Sequence, residues 1–535
     1  MEKQFYGAML DMSRNKVMKP EEVVNYAKIL KSFGYNMIQL YTEDTYEIEN
    51  EPYFGYRRGR YSIQELQYIV DECEKIGMEV IPCIQTLCHL WQMFNLGFYE
   101  DIRDIDDILL IGEQRTYELI ENMFKTIKKC FKSEYIHIGM DESFNVGHGK
   151  YLEKNGYRRQ IDVILEHLTK VAGIAEKYGL KPLMWSDMFF KCVYGQYFNE
   201  DCEIPKDIRD RVPKNVTLVY WDYYHNYQKM YDDMLNAHQQ FDNDVWFAGG
   251  AWCWDGFAPG NKRTLEHMIH GMKSAREHGV KNVFVAMWGD NGGECSYYSV
   301  LPALYACKRF YDGETNLEVI KKEFNQITGE DFDKLCYLDY ANYVGGNQDI
   351  LGNVCKHVFY SDLFNGIWDA CQKQGVGEEY ANHAKVLAEY GKDSKYKYLF
   401  DSMSALCSVM EIKYSLGART RKAYAEKDMQ ALRQLVSDYS EVLTRIEDFY
   451  YKYKAQWYKE SKAIGFDAQD LRIGGLKQRI ISCRERLCEF IDGKISERPE
   501  LAEPTLDLFG GGENIDYSKT PFCNRWYKIV SNNIV

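Results

Sequence analysis

The sequence has no long apolar run, no basic excess and no closely paired cysteines, and each absence excludes a class of protein. No stretch reaches the roughly 18 consecutive apolar residues that a membrane-spanning helix needs. Lys and Arg number 66 against 80 Asp and Glu, for a formal charge of -14, whereas binding to nucleic acid needs a basic face. The 16 cysteines form no CxxC pair, and we expect no metal and no cofactor.

The residues that are present are typical of a folded cytoplasmic chain. Hydrophobic residues make up 45% and charged residues 27%, with a mean hydropathy of -0.48. The stretch MEKQFYGAMLDMSRNK at the N-terminus lacks the apolar core of a signal peptide. Because the cysteines also stand at irregular spacing, we expect reduced thiols and a cytoplasmic location.

The first part of the chain alternates short β-rich runs with helical patterns. The pattern EEVVNYAKILKSFG, for example, ends at Gly34, and an apolar run follows. Most runs are apolar throughout, as in parallel strands that are buried on both faces. The pattern predicts an α/β fold, a (β/α)8 TIM barrel, and a doubly wound open sheet would show fewer strands and a Gly-rich first turn. The predicted strands are 5–11, 37–42, 79–85, 135–141, 182–187, 216–222, 245–252 and 283–290.

From about residue 315 the alternation stops and long helical stretches follow. We predict a catalytic barrel over 1–314 and an α-helical domain over 315–535. The tail near 498–512, with PEL, PTL and GGG, is expected to be irregular.

Polar and aromatic residues stand where the predicted strands end, which is where the active site of such a barrel lies. Acids that bond hydroxyls and indoles that stack on a pyranose face are the components of a monosaccharide pocket. The chain has 43 Tyr and 10 Trp in all. The strand ends that supply a Trp close to an acid are Trp185 with Asp187, Trp221 with Asp222, Trp252 with Asp255, and Trp288 with Asp290.

The strongest local pattern is HIGMDE at 137–142, at the end of the fourth run. Adjacent side chains alternate between the faces of a strand, but at the onset of a loop both Asp141 and Glu142 can reach the cleft. Crowded carboxylates in a partly apolar pocket differ in pKa, and one of them can then serve as a protonated general acid. An alternative is that the two acids only cap the following helix. The acids and indoles at the other strand ends favour catalysis.

This pattern resembles the His-x-Gly-x-Asp-Glu motif of glycoside hydrolase family 20, the β-N-acetylhexosaminidases. The resemblance extends in order over about residues 1–310. LDMSR at 10–14 resembles the family's first-strand motif, YTEDTYEIE at 41–49 its second-strand loop, and IPCIQTLCHL at 81–90 its third-strand segment. A barrel followed by helices is similar to the cytosolic and bacterial subgroup that includes hexosaminidase D-like enzymes.

The resemblance implies a role for each matching residue. Glu142 would be the general acid and base, Asp141 would orient the acetamido group of the substrate, and Arg14 would grip the sugar hydroxyls O3 and O4. His89 and His137 would orient the carboxylates, and the tryptophans would enclose the N-acetyl group and the ring. The residues expected to bind or position the substrate are Arg14, His89, His137, Trp185, Trp221, Tyr223, Trp252, Trp288, Asp290 and Glu294.

Two strand ends depart from the family pattern. The seventh strand of the family usually ends in Trp-Tyr-x-Asp, whose Tyr bonds the acetamido oxygen, but Cys253 stands at that position here. Tyr223 or Tyr224 is expected to supply the hydroxyl instead. The eighth strand usually ends in Trp-x-Glu, whereas this chain has the shorter Asp290, with Glu294 as a second candidate for binding O4 or O6.

The resemblance also implies substrate-assisted catalysis. Glu142 would protonate the leaving oxygen while the 2-acetamido oxygen attacks the anomeric carbon, and Asp141 would stabilise the oxazolinium ion. An internal nucleophile of this kind has an effective molarity of about 10⁵–10⁸ M. We therefore predict an exo-acting, retaining β-N-acetylhexosaminidase that removes terminal non-reducing GlcNAc, GalNAc or both.

Three alternatives remain from the sequence alone. The first is a catalytically inactive barrel that binds carbohydrate, against which the intact acid pair argues. The second is a retaining β-glycosidase for another sugar, which needs a second catalytic acid on another strand. The third is a metal-dependent hydrolase using His89 and His137, although no HxH or HExxH spacing is present.

The expected partner is a small molecule or oligosaccharide that ends in an N-acetylhexosamine, with neither nucleic acid nor membrane as a partner. The aglycone, the acceptance of sulfated or phosphorylated sugars and the formation of a homodimer stay open. The one basic cluster near a strand end, Arg57, Arg58 and Arg60, is expected to be a solvated loop.

Overall fold

The computed structural model describes residues 3–348, 353–506, 525–531 and 533. Eight parallel strands close a barrel in chain order, with β8 paired to β1. The predicted (β/α)8 fold is confirmed, and each predicted run overlaps one strand. The strands are β1 (Tyr6–Asp11), β2 (Met37–Tyr41), β3 (Glu79–Cys83), β4 (Tyr135–His137), β5 (Lys181–Trp185), β6 (Thr217–Trp221), β7 (Val245–Gly250) and β8 (Val283–Met287).

The helices of the first part follow the strands in alternation. They are α1 (Pro20–Ser32), α2 (Ile63–Lys75), α3 (Trp91–Phe94), α4 (Gln114–Cys130), α5 (Lys150–Asn155), α6 (Gln160–Lys177), α7 (Asp187–Tyr194), α8 (Lys206–Arg209), α9 (Gln228–His238), α10 (Asn261–Glu277), α11 (Leu301–Asp312) and α12 (Leu317–Thr328). Helix α1 terminates as predicted: the N–H of Gly34 donates to the carbonyl of Lys31, and the N–H of Tyr35 donates to that of Leu30. This turn reverses the chain into β2.

Long helices dominate the rest of the chain, as predicted. They are α13 (Phe332–Cys336), α14 (Val354–Tyr360), α15 (Val376–Tyr390), α16 (Lys397–Ala425), α17 (Met429–Glu460), α18 (Asp467–Ile491), α19 (Pro499–Ala502) and α20 (Trp526–Val530). Helices α15 to α18 pack against each other in sequence order. In α17 the buried positions Leu432, Leu435, Tyr439 and Val442 recur at intervals of three or four, the spacing of one helix face.

The described chain forms two compact units. The first comprises 1–251, 264–288 and 303–323, and the second comprises 252–263, 289–302 and 324–535. The loops after β7 and β8 therefore cluster with the helical residues. The predicted domain boundary at residue 314 stays a prediction. Much of the predicted irregular tail, at 507–524, lies outside the described residues.

Two further properties concern the described residues only. None of the helices between residues 3 and 533 for which the structure gives coordinates combines the length and apolarity needed to cross a membrane. No disulfide joins the cysteines whose side chains are described. The strands of the barrel are buried almost throughout, so the polar residues that follow them stand at the edge of an apolar core.

Candidate active site

The turn after β4 carries Asp141 and Glu142, and a glutamine from the end of β3 holds it in place. Gly139 in this turn has a φ of +71°, and a Cβ on it would lie 2.0 Å from Oε1 of Gln85, so no other residue fits there. That Oε1 accepts the N–H of Met140 at 3.1 Å, while Nε2 of Gln85 donates to Oδ1 of Asp141 at 2.8 Å. One side chain thus fixes both the backbone and the first acid of the turn.

Four residues at the ends of β2, β3 and β4 have the left-handed backbone conformation although none is glycine. Their φ angles are 44° at Glu43, 58° at His89, 76° at Met140 and 53° at Glu142. Side-chain-bearing residues rarely adopt this conformation, and such strain clusters at functional sites. Among the four, Met140 lies within the predicted run 135–141, and its conformation does not fit a strand that continues to residue 141.

His89 and Asp141 form an ion pair. Nε2 of the histidine lies 3.3 Å from Oδ2 of Asp141 and 3.8 Å from Oε2 of Glu142. Burial alone would lower the pKa of His89, but the charge and hydrogen bond of Asp141 outweigh it and raise this pKa to about 10. Burial likewise works against ionisation of Asp141, yet His89 and then Gln85 bring the pKa of this carboxyl below its usual value. Asp141 is therefore ionised and His89 is protonated at neutral pH.

Glu142 stands in a different environment from its neighbour. Its side chain is 38% exposed, against 10% for Asp141. The hydroxyl of Tyr197 donates to its Oε1 at 3.3 Å, and its backbone N–H donates to Oδ2 of Asp187 at 2.9 Å. Burial, reinforced by the charge of Asp141, raises the pKa of Asp187 well above its usual range. The exposed Glu142 is the carboxyl that a bound ligand can reach.

Arg14, at the end of β1, is held by acids of two strand ends. Its Nη2 lies 3.0 Å from Oε1 of Glu43, and its Nε lies 3.7 Å from Oδ2 of Asp11. Glu43 also accepts the hydroxyl of Tyr41 at 3.0 Å. Burial raises the pKa of Glu43 to about 7 although Arg14 opposes this shift. The Arg14 side chain is 28% exposed, so it is not fully enclosed by these acids.

An aromatic cluster spans the ends of β5, β6 and β8. The ring of Trp288 lies 5.9 Å from that of Trp185, and its Nε1 donates to the hydroxyl of Tyr223 at 2.8 Å. The ring of Tyr223 in turn stacks on Trp221 with centroids 5.4 Å apart. The structure therefore joins four residues of the predicted sugar site. Tyr224, the other candidate for the acetamido contact, is 38% exposed and is the more peripheral of the two tyrosines.

His137 is fully buried beneath the turn after β4. Its Nδ1 accepts the N–H of Gly139 at 3.1 Å, and its ring lies 4.4 Å from that of Trp185. Burial lowers the pKa of His137 to about 3, so it is a neutral imidazole. We interpret it as a support for the turn and for Trp185, and we assign it no contact with a ligand.

Three predicted site residues belong to the second unit. Trp252 is buried, stacks on Trp254 at 4.2 Å and lies under the guanidinium of Arg263. Asp290 is half-buried. For these two, a contact with substrate stays a prediction.

Glu294, the third of these residues, is occupied by cations of its own unit. Its Oε2 lies 2.7 Å from Nζ of Lys356, and its Oε1 lies 3.1 Å from Nη1 of Arg472. The side chain is 1% exposed. The structure favours a structural role for Glu294, so we do not include it in the proposed sugar site.

The prediction that the basic residues at 57–60 lie in a solvated loop is wrong for Arg58. Its guanidinium pairs with Asp44 at 3.2 Å and donates to the side chain of Asn15 at 2.6 Å. The side chain of Arg58 is only 14% exposed, because the loop folds back over the end of β1. The sequence near residue 58 gives no sign of a partner that lies over forty positions earlier.

The sequence analysis gave no individual role to four residues that organise this site: Glu43, Gln85, Asp187 and Tyr197. Glu43, Gln85 and Asp187 each stand two residues after the end of a strand. This position could have marked them as candidates in the sequence. Tyr197 has no such signal, because it lies in the loop after α7 and is 55 residues from the Glu142 that it contacts.

Cys88, His89 and Asp141 place ligand atoms within 4.8 Å of one another. Burial raises the pKa of the Cys88 thiol well above its usual range, and its Sγ donates to the carbonyl of Asp141 at 2.6 Å. A protonated thiol and a protonated imidazole are poor metal ligands. The described contacts among these residues are the ion pair of His89 with Asp141 and the hydrogen bond from Cys88 to the carbonyl of Asp141.

Two family models match the chain. Residues 4–241 match the catalytic domain of glycosyl hydrolase family 20, and residues 330–515 match the Glycoside Hydrolase 20C C-terminal domain. The chain belongs to glycoside hydrolase family 20. The catalytic match includes Arg14, His89, Asp141 and Glu142, and it ends before β7, the first strand whose end departs from the family pattern.

Two curated relatives carry the name hexosaminidase D. The protein from Bos taurus is 24% identical over 207 residues, which cover 36% of this chain and 56% of that protein. The protein from Homo sapiens is 24% identical over 206 residues, which cover 36% of this chain and 40% of that protein. The match thus spans about half the length of these relatives.

Solved structures of the family also match the chain. A chitobiase from Flavobacterium johnsoniae has a TM-score of 0.49 at 13% identity, covering 85% of this chain and 78% of that chain. A family 20 exo β-N-acetylglucosaminidase from Vibrio harveyi has a TM-score of 0.46 at 16% identity, covering 61% of this chain and 58% of that chain.

Proposed function

We propose that this family 20 protein is an exo-acting β-N-acetylhexosaminidase that retains the anomeric configuration. The observation that carries the proposal is the division of labour between the two acids after β4. Asp141 is buried and held ionised by His89, whereas Glu142 is exposed at the cleft. Substrate assistance needs one permanent carboxylate and one acid that can exchange a proton. The family membership and the name of the curated relatives support the same assignment.

Glu142 acts as the general acid and then as the general base. It protonates the leaving glycosidic oxygen while the 2-acetamido oxygen attacks the anomeric carbon, which gives a bicyclic oxazolinium ion and a free leaving group. The ionised Glu142 then takes a proton from the water that opens this ion. Two inversions at the anomeric carbon retain its configuration.

Asp141 carries the charge of the intermediate. Its ionised carboxylate orients the acetamido N–H and stabilises the positive charge that develops there. His89 and Gln85 occupy both of its oxygens, which fixes the orientation of the carboxylate before substrate binds. Preorganisation of this kind avoids reorientation during the reaction.

The aromatic cluster holds the sugar and its acetamido group. Trp185, Trp221 and Trp288 supply the enclosing rings, and Tyr223 offers its hydroxyl to the acetamido oxygen. Arg14, backed by Glu43, binds O3 and O4 through its guanidinium. The contacts of Asp290 and Trp252 with substrate stay predictions. A cytoplasmic location and a homodimer also stay predictions.

The test is hydrolysis of p-nitrophenyl β-GlcNAc, β-GalNAc and β-glucoside by the wild type, Glu142→Gln and Asp141→Asn. We expect turnover of the N-acetyl sugars only, with kcat lowered by about 10²-fold or more in both variants. The matched control is Glu153→Gln, an exposed acid on α5, which should leave kcat unchanged. NMR of the first product should show the β anomer.

Two outcomes would contradict the proposal. Cleavage of the β-glucoside at a rate similar to that of the N-acetyl sugars would mean that the acetamido group is not the nucleophile. Absence of turnover for every sugar would instead favour the inactive carbohydrate-binding barrel.

A further inference from the structure

Asp187 begins α7 and lies against the turn that carries the two acids. Its Oδ2 accepts the backbone N–H of Glu142 at 2.9 Å. The hydroxyl of Ser186, the residue before it, donates to the carbonyl of Val219 at 2.9 Å and lies 2.7 Å from Nε2 of His238. The segment that carries Asp187 is therefore anchored to β6 and α9, and Asp187 connects this anchored segment to Glu142.

The backbone of Glu142 has a strained conformation that is held by hydrogen bonds on both sides. Its φ of 53° is one that a residue with a side chain rarely adopts. On one side, the carbonyl of Glu142 accepts the N–H of Phe144 at 2.7 Å. On the other side, the N–H of Glu142 donates to Asp187. Loss of the Asp187 carboxyl removes this second hydrogen bond, so the turn can relax and the position of the general acid is no longer fixed.

The carboxyl group of Asp187 is enclosed and has no cationic partner. The residue is 5% exposed, and its Oδ1 is buried without a hydrogen bond of normal geometry. Within the described chain no lysine, arginine or histidine forms an ion pair with Asp187, whereas His89 lies close to both Asp141 and Glu142. A carboxylate that is buried without a cation is costly, so such a group keeps its proton instead.

The groups around Asp187 favour the protonated form. The N–H of Glu142 and the indole of Trp221 favour ionisation, but burial and the charge of Asp141 outweigh them and raise the pKa of Asp187 well above its usual range. The other titratable groups near this segment are uncharged at neutral pH, because burial raises the pKa of the thiols and the phenol and lowers the pKa of the imidazole to about 4. They are Cys88 after β3, Cys192 on α7, Tyr197 after α7 and His238 on α9.

The net charge of the site depends on this proton. His89 contributes one positive charge and Asp141 one negative charge, while Glu142 alternates between its neutral and ionised forms during the proposed reaction. An ionised Asp187 would add a second permanent negative charge and oppose the ionisation of Glu142.

We propose that Asp187 is a positioning residue that acts as an uncharged acid: its carboxyl fixes the backbone of Glu142 without adding negative charge to the site. The inference rests on the proposed function, in which Glu142 gives up and takes back a proton.

Two substitutions separate the position of this carboxyl from its charge. Asp187→Asn keeps an acceptor for the N–H of Glu142 and carries no charge, so kcat on p-nitrophenyl β-GlcNAc or β-GalNAc should stay within about threefold of the wild type. Asp187→Ala removes the acceptor and should lower kcat by about tenfold or more, with KM within about twofold, because the aromatic cluster still binds the sugar. Asp467→Asn is the matched control, since Asp467 is the exposed first residue of α18.

The pH profile distinguishes an uncharged Asp187 from an ionised one. The alkaline limb of kcat/KM reports the pKa of the general acid in the free enzyme. Replacement of an ionised Asp187 by asparagine would remove a neighbouring negative charge and move this limb to lower pH by about one unit or more. Because Asp187 is uncharged in the proposal, the limb of Asp187→Asn should stay within about 0.3 unit of the wild type.

Infrared difference spectra near neutral pH test the protonation without any turnover. The spectrum of the wild type minus that of Asp187→Asn should contain the carbonyl stretch of a protonated carboxyl. The wild type minus Asp467→Asn should contain the bands of a carboxylate instead, because that acid is exposed. If Asp187→Ala does not fold, the asparagine variant and these spectra decide the question.

Four results would overturn the inference. They are carboxylate bands in the Asp187→Asn difference spectrum, a shift of the alkaline limb by about one unit, equal losses of kcat in the asparagine and alanine variants, and an alanine variant as active as the wild type. Failure of the wild type to cleave any p-nitrophenyl N-acetyl sugar is a distinct result. It contradicts the proposed function, while the infrared spectra still decide whether Asp187 carries a proton.

Discussion

At the scale of single residues, the ion pair of His89 and Asp141 links the loop after β3 to the acid turn. Two charges buried together are costly to separate, because either one alone keeps its desolvation penalty without its partner. The shifts in pKa of the two groups give the pair a defined pH window. This window leads to a prediction about stability that does not depend on the identity of the substrate.

The His89–Asp141 pair should stabilise the fold most between about pH 4 and pH 6.5. The pKa of His89 rises from 6.5 to about 10 on folding, so its contribution is complete below 6.5 and is lost as the pH rises through about 10. The pKa of Asp141 falls on folding, so its contribution is present above the ordinary value of 3.8 and is lost at lower pH. His89→Gln should therefore cost about 3 kcal/mol near pH 6 and much less near pH 10.5.

Urea unfolding followed by tryptophan fluorescence measures this difference at both pH values. His148→Gln is the control, because His148 is exposed and lies in the loop after β4. The difference in free energy of unfolding between the wild type and His89→Gln is the quantity compared. If it is the same at both pH values, the loss comes from packing and not from the charge pair.

Which of these residues the sequence predicts depends on how far apart their partners are. Asp141 and Glu142 are adjacent in a motif, and Arg14 and His89 follow strand ends, so all four were predictable as candidates. The contact between Tyr197 and Glu142 was not, because it depends on how the loop after α7 folds. Glu43 and Gln85 occupy polar positions at strand ends, but only the structure shows that they hold Arg14 and Asp141.

At the scale of elements, one glycine within α6 and one that follows it should respond to alanine with opposite signs. Gly173 lies on an exposed helical face, and Gly179 follows the helix with a φ of +64°. A Cβ at either position would meet no atom within 4 Å, so an alanine side chain has room at both. Gly173→Ala should stabilise the protein by about 0.5–1 kcal/mol, and Gly179→Ala should destabilise it by about 1 kcal/mol. Thermal unfolding measures both, and shifts of the same sign would contradict the backbone explanation.

Gly139, in the turn after β4, and Gly156, which follows α5, form a second pair of glycines. Gly139 and Gly156 have φ angles of 71° and 70°, so an alanine is strained at both positions. A Cβ at Gly139 would collide with Gln85, whereas one at Gly156 would meet no atom within 4 Å. Gly139→Ala should therefore displace Asp141 and lower kcat by about 10²-fold. Gly156→Ala should leave kcat within about twofold of the wild type, and equal losses in the two variants would assign the effect to backbone strain alone.

The eight strands were predictable because apolar runs and glycine-terminated helices report directly on a buried parallel sheet. Except for β1, their carboxyl ends were predicted too far along the chain. The run 135–141, for example, continues to the acid, whereas β4 ends at His137. The sequence pattern predicts that Met140 lies in the strand. In the structure it has a left-handed conformation, and its N–H donates to Gln85.

At the scale of the whole molecule, the loops after β7 and β8 cluster with the helical residues in the second unit. A boundary derived from sequence is one cut in the chain, so it cannot represent a unit assembled from three segments. Glu294 shows the consequence for site prediction. In the sequence it follows a strand end. Its partners Lys356, in α14, and Arg472, in α18, come 62 and 178 residues after it.

The charge network around Glu294 should be essential to the stability of the second unit. Lys356 is fully buried, and burial lowers its pKa while Glu294 opposes that shift. Lys356→Met would leave the carboxylate buried with Arg472 as its remaining cation, and it should cost about 3 kcal/mol. The double variant Lys356→Met with Glu294→Gln should recover part of this loss, because the uncompensated charge is removed as well. The exposed pair of Lys494 and Asp492 provides the control, and Lys494→Met should change the stability by less than about 0.5 kcal/mol.

Urea unfolding of the four variants and the wild type decides between a charge effect and a packing effect. If charge dominates, the double variant lies between Lys356→Met and the wild type, and Glu294→Gln alone is destabilised because it leaves Lys356 without its anionic partner. If packing dominates, the losses of the two single variants add in the double variant. Additive losses would therefore contradict the network, and Glu294 would again be available as a residue of the sugar site.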